Sequence, residues 1–274
     1  NDNHIAKNRI QTSHILKNHP TIVHLDHAPH GDIMNSLAIK NSVANAISQI
    51  KDVGLLQVLK TRPLEISELQ SYLANIYYIL LQTQPCLQLA VGAANLQGAE
   101  DLGQYYHDKI EEEQGHHKWC EEDLKKLLGD HYRWSEVEVL DSTRALMNFQ
   151  KKSIVRRPLV YLGYMTLAEQ MTVELGPAVI ASLKRRSTEN QTEVSVSCIS
   201  NHIELDKEHV SDDYLMMEKF IQSREDEIEI VEHVIQSTEF IKAFFTEVIE
   251  HARSKNRNEL PNPYAPSANQ LADH

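Results

Sequence analysis

Apolar residues begin to recur at threes and fours near Ser36, with Leu37, Ile39, Val43, Ile47 and Ile50 lining one face. That spacing predicts an α-helix, which Val53-Gly54 ends. A short stretch, Leu55 to Lys60, leads to Pro63. From Glu65 to Gln97 the pattern supports one long helix, interrupted at Pro85, which lacks a backbone donor. Ala99 to Leu128 reads as a single next helix, stopped by Gly129. Positions 102, 106, 110, 113, 117, 120, 124 and 127 form its inward stripe. Two of these are Glu113 and His117, where the pattern calls for apolar side chains. Ser135 to Lys152 is a further amphipathic helix. Pro158 fits the first turn of another that runs to about Leu183, with Lys184-Arg185-Arg186 favourable at its C-terminal end. Ser187 to Thr192 reads as a polar loop. Two last helices are expected, Glu193 to Gln222 and Glu225 to His251. These segments predict an all-α bundle of seven to eight helices. An extended arm is expected over 1–33, one helical domain over 34–255, and an irregular tail over 256–274.

Composition agrees with this pattern. Nine glycines and nine prolines in 274 residues are few, which favours long helices over an all-β fold. A net charge of −12 disfavours nucleic acid and anionic membrane as partners. Cys86, Cys120 and Cys198 form no CxxC pair and no even-numbered framework, so a reducing, cytoplasmic setting is expected. The apolar run from Ile76 to Ala93 is broken by Gln82, Gln84, Pro85 and Gln88, and reads as a buried helix. The polar stretch Asn1 to Ile10 has no signal-peptide core.

The chemistry concentrates in His202-Ile-Glu-Leu-Asp206-Lys-Glu-His209. At about 100° per residue, His202, Asp206 and His209 fall within an arc of roughly 60° on one helix. Imidazole with carboxylate suits iron, manganese or zinc. A solvated face would explain these three residues alone. It would not explain why Cys198, Ile199, Met216 and Phe220 continue the same face as apolar positions. Upstream, Glu113 and His116 have the i, i+3 spacing by which one helix holds a metal ion. Glu112 and His116 at i, i+4 serve as well, and periodicity itself favours Glu113 with His117, leaving His116 about 60° off centre. Glu111 is accounted for as a solvated residue pairing with lysines. Glu169 lies among apolar residues between Tyr161 and Met171, where a carboxylate needs a partner or a metal. Glu174 is the weaker alternative. Glu113, His116, Glu169, His202, Asp206 and His209 thus make three carboxylates and three imidazoles, a ligand count that fits two metal ions with open positions. His24, His27 and His30 form a weak zinc pattern, and His107 and His131 have no visible partners.

Glu112-Glu113-Gln-Gly115-His116-His-Lys-Trp119 with Asp123-Leu124, then Leu162-Gly163-Tyr164 leading to Ala168-Glu169, then His-x-x-x-Asp-x-x-His, resemble the haem-oxygenase-like diiron oxidases over roughly residues 36–250. The resemblance implies a haem-oxygenase-like fold, two ferrous ions per chain and O2 as co-substrate. It implies oxidation of a small amino-acid-, amine- or fatty-acid-derived substrate, by N-oxygenation, desaturation or C–C cleavage, in natural-product biosynthesis. An external electron donor and a homodimer are the further partners it suggests. Carried over, His202, Asp206 and His209 match the third ligand helix, Glu169 the second, and His116 the histidine of the first. The chain departs from the pattern at Lys109, where many members carry the first carboxylate, seven residues before that histidine. Glu113, Glu112 or Asp213 must then substitute, and one iron would be held weakly. Tyr161, Tyr164, Met165, Met216 and Phe220 lie on helices able to line a substrate cavity. Haem-degrading and metal-free thiaminase-like or quinone-synthase-like enzymes share the fold. They would need, respectively, a proximal histidine or a nucleophile such as Cys120 or Cys198.

Overall fold

The fold follows from where the apolar stripes find partners. The computed structural model describes residues 36–129, 138–190 and 196–259, with backbone alone for 186–190 and 256–259. The expected arm, most of the expected tail, His24, His27, His30 and His131 lie outside the described residues. Nine α-helices and no strand occur among the described residues: α1 (Leu37–Ile50), α2 (Gly54–Leu59), α3 (Ile66–Leu96), α4 (Glu100–Glu112), α5 (His117–Leu128), α6 (Asp141–Arg156), α7 (Tyr161–Asn190), α8 (Ser197–Phe220) and α9 (Arg224–Glu259). A 3-10 turn, Pro158–Val160, leads into α7.

α3 starts at a capping box. The Glu65 side chain takes the N3 amide, and Glu68 Oε2 accepts from the Glu65 backbone at 2.9 Å. Arg62 completes the corner, Nη1 donating to Glu68 Oε2 at 2.8 Å. α3 packs on α4, α5 and α6, and α9 closes the bundle against α1, α2 and α6. Ile230, Val234, Ile241, Phe244 and Val248 form the buried stripe of α9. α7 and α8 pack against each other over most of their length and bring the carboxylate of one to the imidazoles of the other. α7 also lies close to α9 at Gly163, where an added Cβ would sit 2.8 Å from Ile230 Cγ2.

Four expectations are corrected. The single helix over 99–128 is two, because Gly115 takes φ +91 between α4 and α5. Pro85 does not interrupt α3. Its missing donor leaves the Leu81 carbonyl without its helical partner, on a residue that is 37 % exposed, while the fully buried Cys86 and Leu87 hold the helix in register. α7 continues to Asn190, through the start of the expected loop. α9 runs on to Glu259 rather than His251.

Candidate metal centre

The break between α4 and α5 builds the first wall of the site. Glu113 caps the end of α4, and His116 precedes α5. An unbroken helix would aim Glu113 and His117 inward. The left-handed Gly115 shifts the phase by part of a turn, so His116 becomes the buried histidine while His117 lies against Tyr77 at 6.3 Å between ring centroids. His116 Nδ1 sits 2.9 Å from Glu113 Oε2. Its ring stacks on Trp119 at 4.6 Å and meets the His202 ring edge-on at 5.2 Å.

α8 supplies His202, Asp206 and His209, and α7 supplies Glu169. His202 Nδ1 bonds the Cys198 carbonyl oxygen at 2.7 Å, which turns Nε2 into the site. His209 Nδ1 lies 3.9 Å from both Glu169 Oε1 and Asp206 Oδ1. Potential ligand atoms of Glu113, His116 and His202 lie within 4.8 Å of one another, and so do those of Glu113, Glu169 and His209. The two groups share Glu113. Asp206 belongs to neither group, but is buried beside His209.

The other candidates are occupied elsewhere. Glu174 is exposed and accepts from Gln170 Nε2 at 2.8 Å. Asp213 is fully buried and is held by the Tyr105 hydroxyl at 2.5 Å and Thr166 Oγ1 at 2.9 Å. Glu112 is half-exposed and faces Lys109 and His209. Lys109, only 3 % exposed, is a wall of the site rather than a surface residue. Its importance is not visible in helical periodicity, but its departure from the family pattern marks it. Trp119 had no signal as a site neighbour beyond lying within the motif, whereas Cys198 was marked by sharing the helical face of the three α8 residues.

The electrostatics describe a site short of positive charge. Burial drives the Glu169 carboxyl well above the usual range, and the nearby Asp213 adds to it. Burial likewise lifts Asp206 to about 7, helped by the charge of Glu113. Burial alone would also raise Glu113, but the hydrogen bond and charge of His116, with His202 and His209 beyond, bring it below the ordinary carboxylate value. His202 is raised to about 9 by the Cys198 thiol and carbonyl against the pull of burial. Glu169 Oε2, His202 Nε2 and His209 Nδ1 are buried without a hydrogen-bond partner. Each such orphan costs about 1–3 kcal/mol, a heavy load for a fold stable by about 5–15 kcal/mol. Cations at the two groups would satisfy all three, His202 at one and Glu169 with His209 at the other, so the residues fit metal.

A cavity opens from these ligands into the bundle, with a volume of about 170 Å³. Its walls are aliphatic and aromatic, from Tyr72, Ile76 and Leu87 on α3 to Met165 and Val179 on α7 and Phe244 on α9. Tyr161 and Tyr164 line it too; Met216 and Phe220 are not among its lining residues. Cys198 lines it beside His202, and burial is outweighed there by Cys120 so that the thiol falls to about 7.

Three solved structures share the architecture. A domain of unknown function with a haem oxygenase-like fold from Shewanella denitrificans matches with a TM-score of 0.71 at 16 % identity, over 86 % of this chain and 100 % of that one. A TenA homologue from Pseudomonas syringae pv. tomato gives 0.63 at 14 %, over 82 % and 99 %. A CADD-like protein of unknown function from Nostoc punctiforme gives 0.57 at 12 %, over 80 % and 97 %. At these identities the likeness establishes the fold. No curated protein matches the chain. The family model described as iron-containing redox enzyme matches residues 70–240, more than half of the sequence and the stretch in which the six candidate ligands lie, and the chain belongs to that family of the haem oxygenase-like fold.

Proposed function

We propose that this protein is an O2-dependent non-haem oxidase or oxygenase that uses two iron ions per chain. The observation that carries the reading is the pair of ligand groups joined at Glu113. A carboxylate set between two imidazole-bearing groups suits two adjacent cations better than one. Iron bound there supplies the redox chemistry toward O2.

The side chains do the rest. Glu113, His116 and His202 hold one position; Glu113, Glu169 and His209 hold the other, with Asp206 beside it. Asp206 and His202 give up their protons as a cation binds, which couples occupancy to pH. The apolar walls exclude water and orient the substrate. No lysine or arginine lines the cavity among the described residues, so a charged substrate end belongs at the ligand end. Tyr72 to Leu87 spans about 22 Å along α3, while the volume only slightly exceeds that of an engineered cavity that admits benzene. A long, narrow space of this kind suits an unbranched apolar chain with one amine or carboxyl end. A fatty-acid- or amine-derived substrate in a biosynthetic reaction is the class we favour, with two electrons drawn from an external donor when turnover requires them.

O2 uptake by iron-loaded protein tests this, with saturated fatty acids and alkyl amines of increasing length. The expected result is substrate-dependent uptake that is lost in Glu169→Ala. Uptake independent of iron, or none with any member of the series, would sink the reading. Turnover without metal that disappears in Cys198→Ser would move the assignment to a thiol-based enzyme.

A further inference from the structure

We propose that Glu112 and Lys109 are positioning residues that orient His209 toward the second metal position. The proposal rests on the reading of His209 as a ligand. A neutral imidazole has one protonated nitrogen and one lone pair, and its partner on one side decides which faces the other. In His209 both nitrogens face carboxylates, but one side is buried among the candidate ligands and the other faces a half-exposed carboxylate outside them. Nδ1 is the buried orphan that faces Glu169 and Asp206 at 3.9 Å. Nε2 faces Glu112 Oε2 at 3.7 Å. The Glu112 carboxylate favours the proton on Nε2, which leaves the Nδ1 lone pair for a cation. At 3.7 Å the contact is electrostatic, and a small shift of the half-exposed Glu112 side chain would make it the carboxylate–histidine–metal arrangement that fixes tautomer and ring plane in metal sites.

Lys109 holds that carboxylate in place. Its Nζ lies 3.1 Å from the same Glu112 Oε2 and 3.8 Å from Asp213 Oδ1. Asp213 is pinned in turn by Tyr105 and Thr166. A lysine this deeply buried needs partners for its charge, and those it has lead from α4 to the imidazole of α8. Lys109 and Glu112 stand at i, i+3 on the last turn of α4, so one helix end carries Glu113 into the site and Glu112 behind it.

The arrangement predicts that the two metal positions respond differently to the same variant. Mn2+ titration followed by the electron paramagnetic resonance signal of free Mn2+ reads each binding step. Wild-type protein is expected to take up two ions. Glu112→Ala and Lys109→Met should leave the first step unchanged and weaken the second by about 10–100-fold. Lys109→Arg should restore it. Glu112 is 46 % exposed, so Glu112→Ala keeps the test valid should Lys109→Met fail to fold. Weakening of both steps together would mean a general structural role and would overturn the proposal, as would no change in either. Wild-type protein that binds no Mn2+ would overturn it together with the metal reading, whereas two unaltered steps in the variants would overturn it alone.

Discussion

Glu113 is one carboxylate placed between two sets of imidazoles, and it makes the sharpest demand on the residue scale. Glu113→Ala should abolish both metal positions, His116→Ala chiefly the one it faces, and His209→Ala chiefly the other. Metal analysis after desalting distinguishes these, since equal losses in all three would mean no shared ligand. The titrating groups make a second prediction. Asp206, with a folded value of about 7, and Glu169, raised by burial and by Asp213, bind protons that the unfolded chain has already released. Their raised values stabilise the metal-free fold at low pH, and that contribution is lost as pH rises through the folded values. His202, raised to about 9, has the same sign: its contribution is full below its unfolded value near 6.5 and is lost through about 9. The Cys198 thiol, lowered to about 7, has the opposite sign and offsets His202 between about 7 and about 9. The thermal midpoint of chelator-treated protein should therefore fall chiefly from about pH 6 to about pH 8, as Asp206 gives up its proton, and Mn2+ should remove most of that fall. A midpoint that rises over this range without metal would refute these assignments. The α8 residues were legible because i, i+4 and i+7 spacing survives in an uninterrupted helix. The positioning role of Lys109 and Glu112 was not, because it depends on a neighbour from another helix, although Glu112 was readable as a carboxylate candidate and Lys109 as a departure from the family pattern.

The α4–α5 break is the feature on the scale of elements that decides the ligand geometry. Helical phase extrapolated across Gly115 selects His117, whereas the folded chain buries His116. Family resemblance pointed to His116; periodicity alone had no means to, since a single left-handed residue resets the phase of everything after it. Gly115→Ala meets only the Lys118 side chain, 3.9 Å away, so its cost is the positive φ itself, about 1–2 kcal/mol. The expected result is a lower unfolding midpoint with weaker metal binding at the Glu113–His116–His202 position. A variant indistinguishable from wild type in both would show that the turn does not position His116. Pro85 taught the opposite lesson. A proline predicts a break from local geometry, but long-range packing of the buried Cys86 and Leu87 keeps α3 continuous.

For the whole molecule, scarce glycine and proline with sustained three-and-four spacing were enough to specify an all-α bundle. Which stripes meet was not legible, because the partner of each apolar face is chosen by close approaches such as Gly163 against Ile230. The cavity is likewise a product of assembly, drawn from α2, α3, α6, α7, α8 and α9. Ala168 lines it near Glu169, and Ala168→Phe should raise KM for longer substrates while leaving metal content intact. A variant that loses metal and substrate binding together would show that the cavity and the ligand set are not separable. The account as a whole stands on the occupancy of the shared site. Anaerobic loading with ferrous ion, followed by counting iron per chain, is the most direct measurement: about two ions per chain are predicted, and a chain that retains none would contradict it.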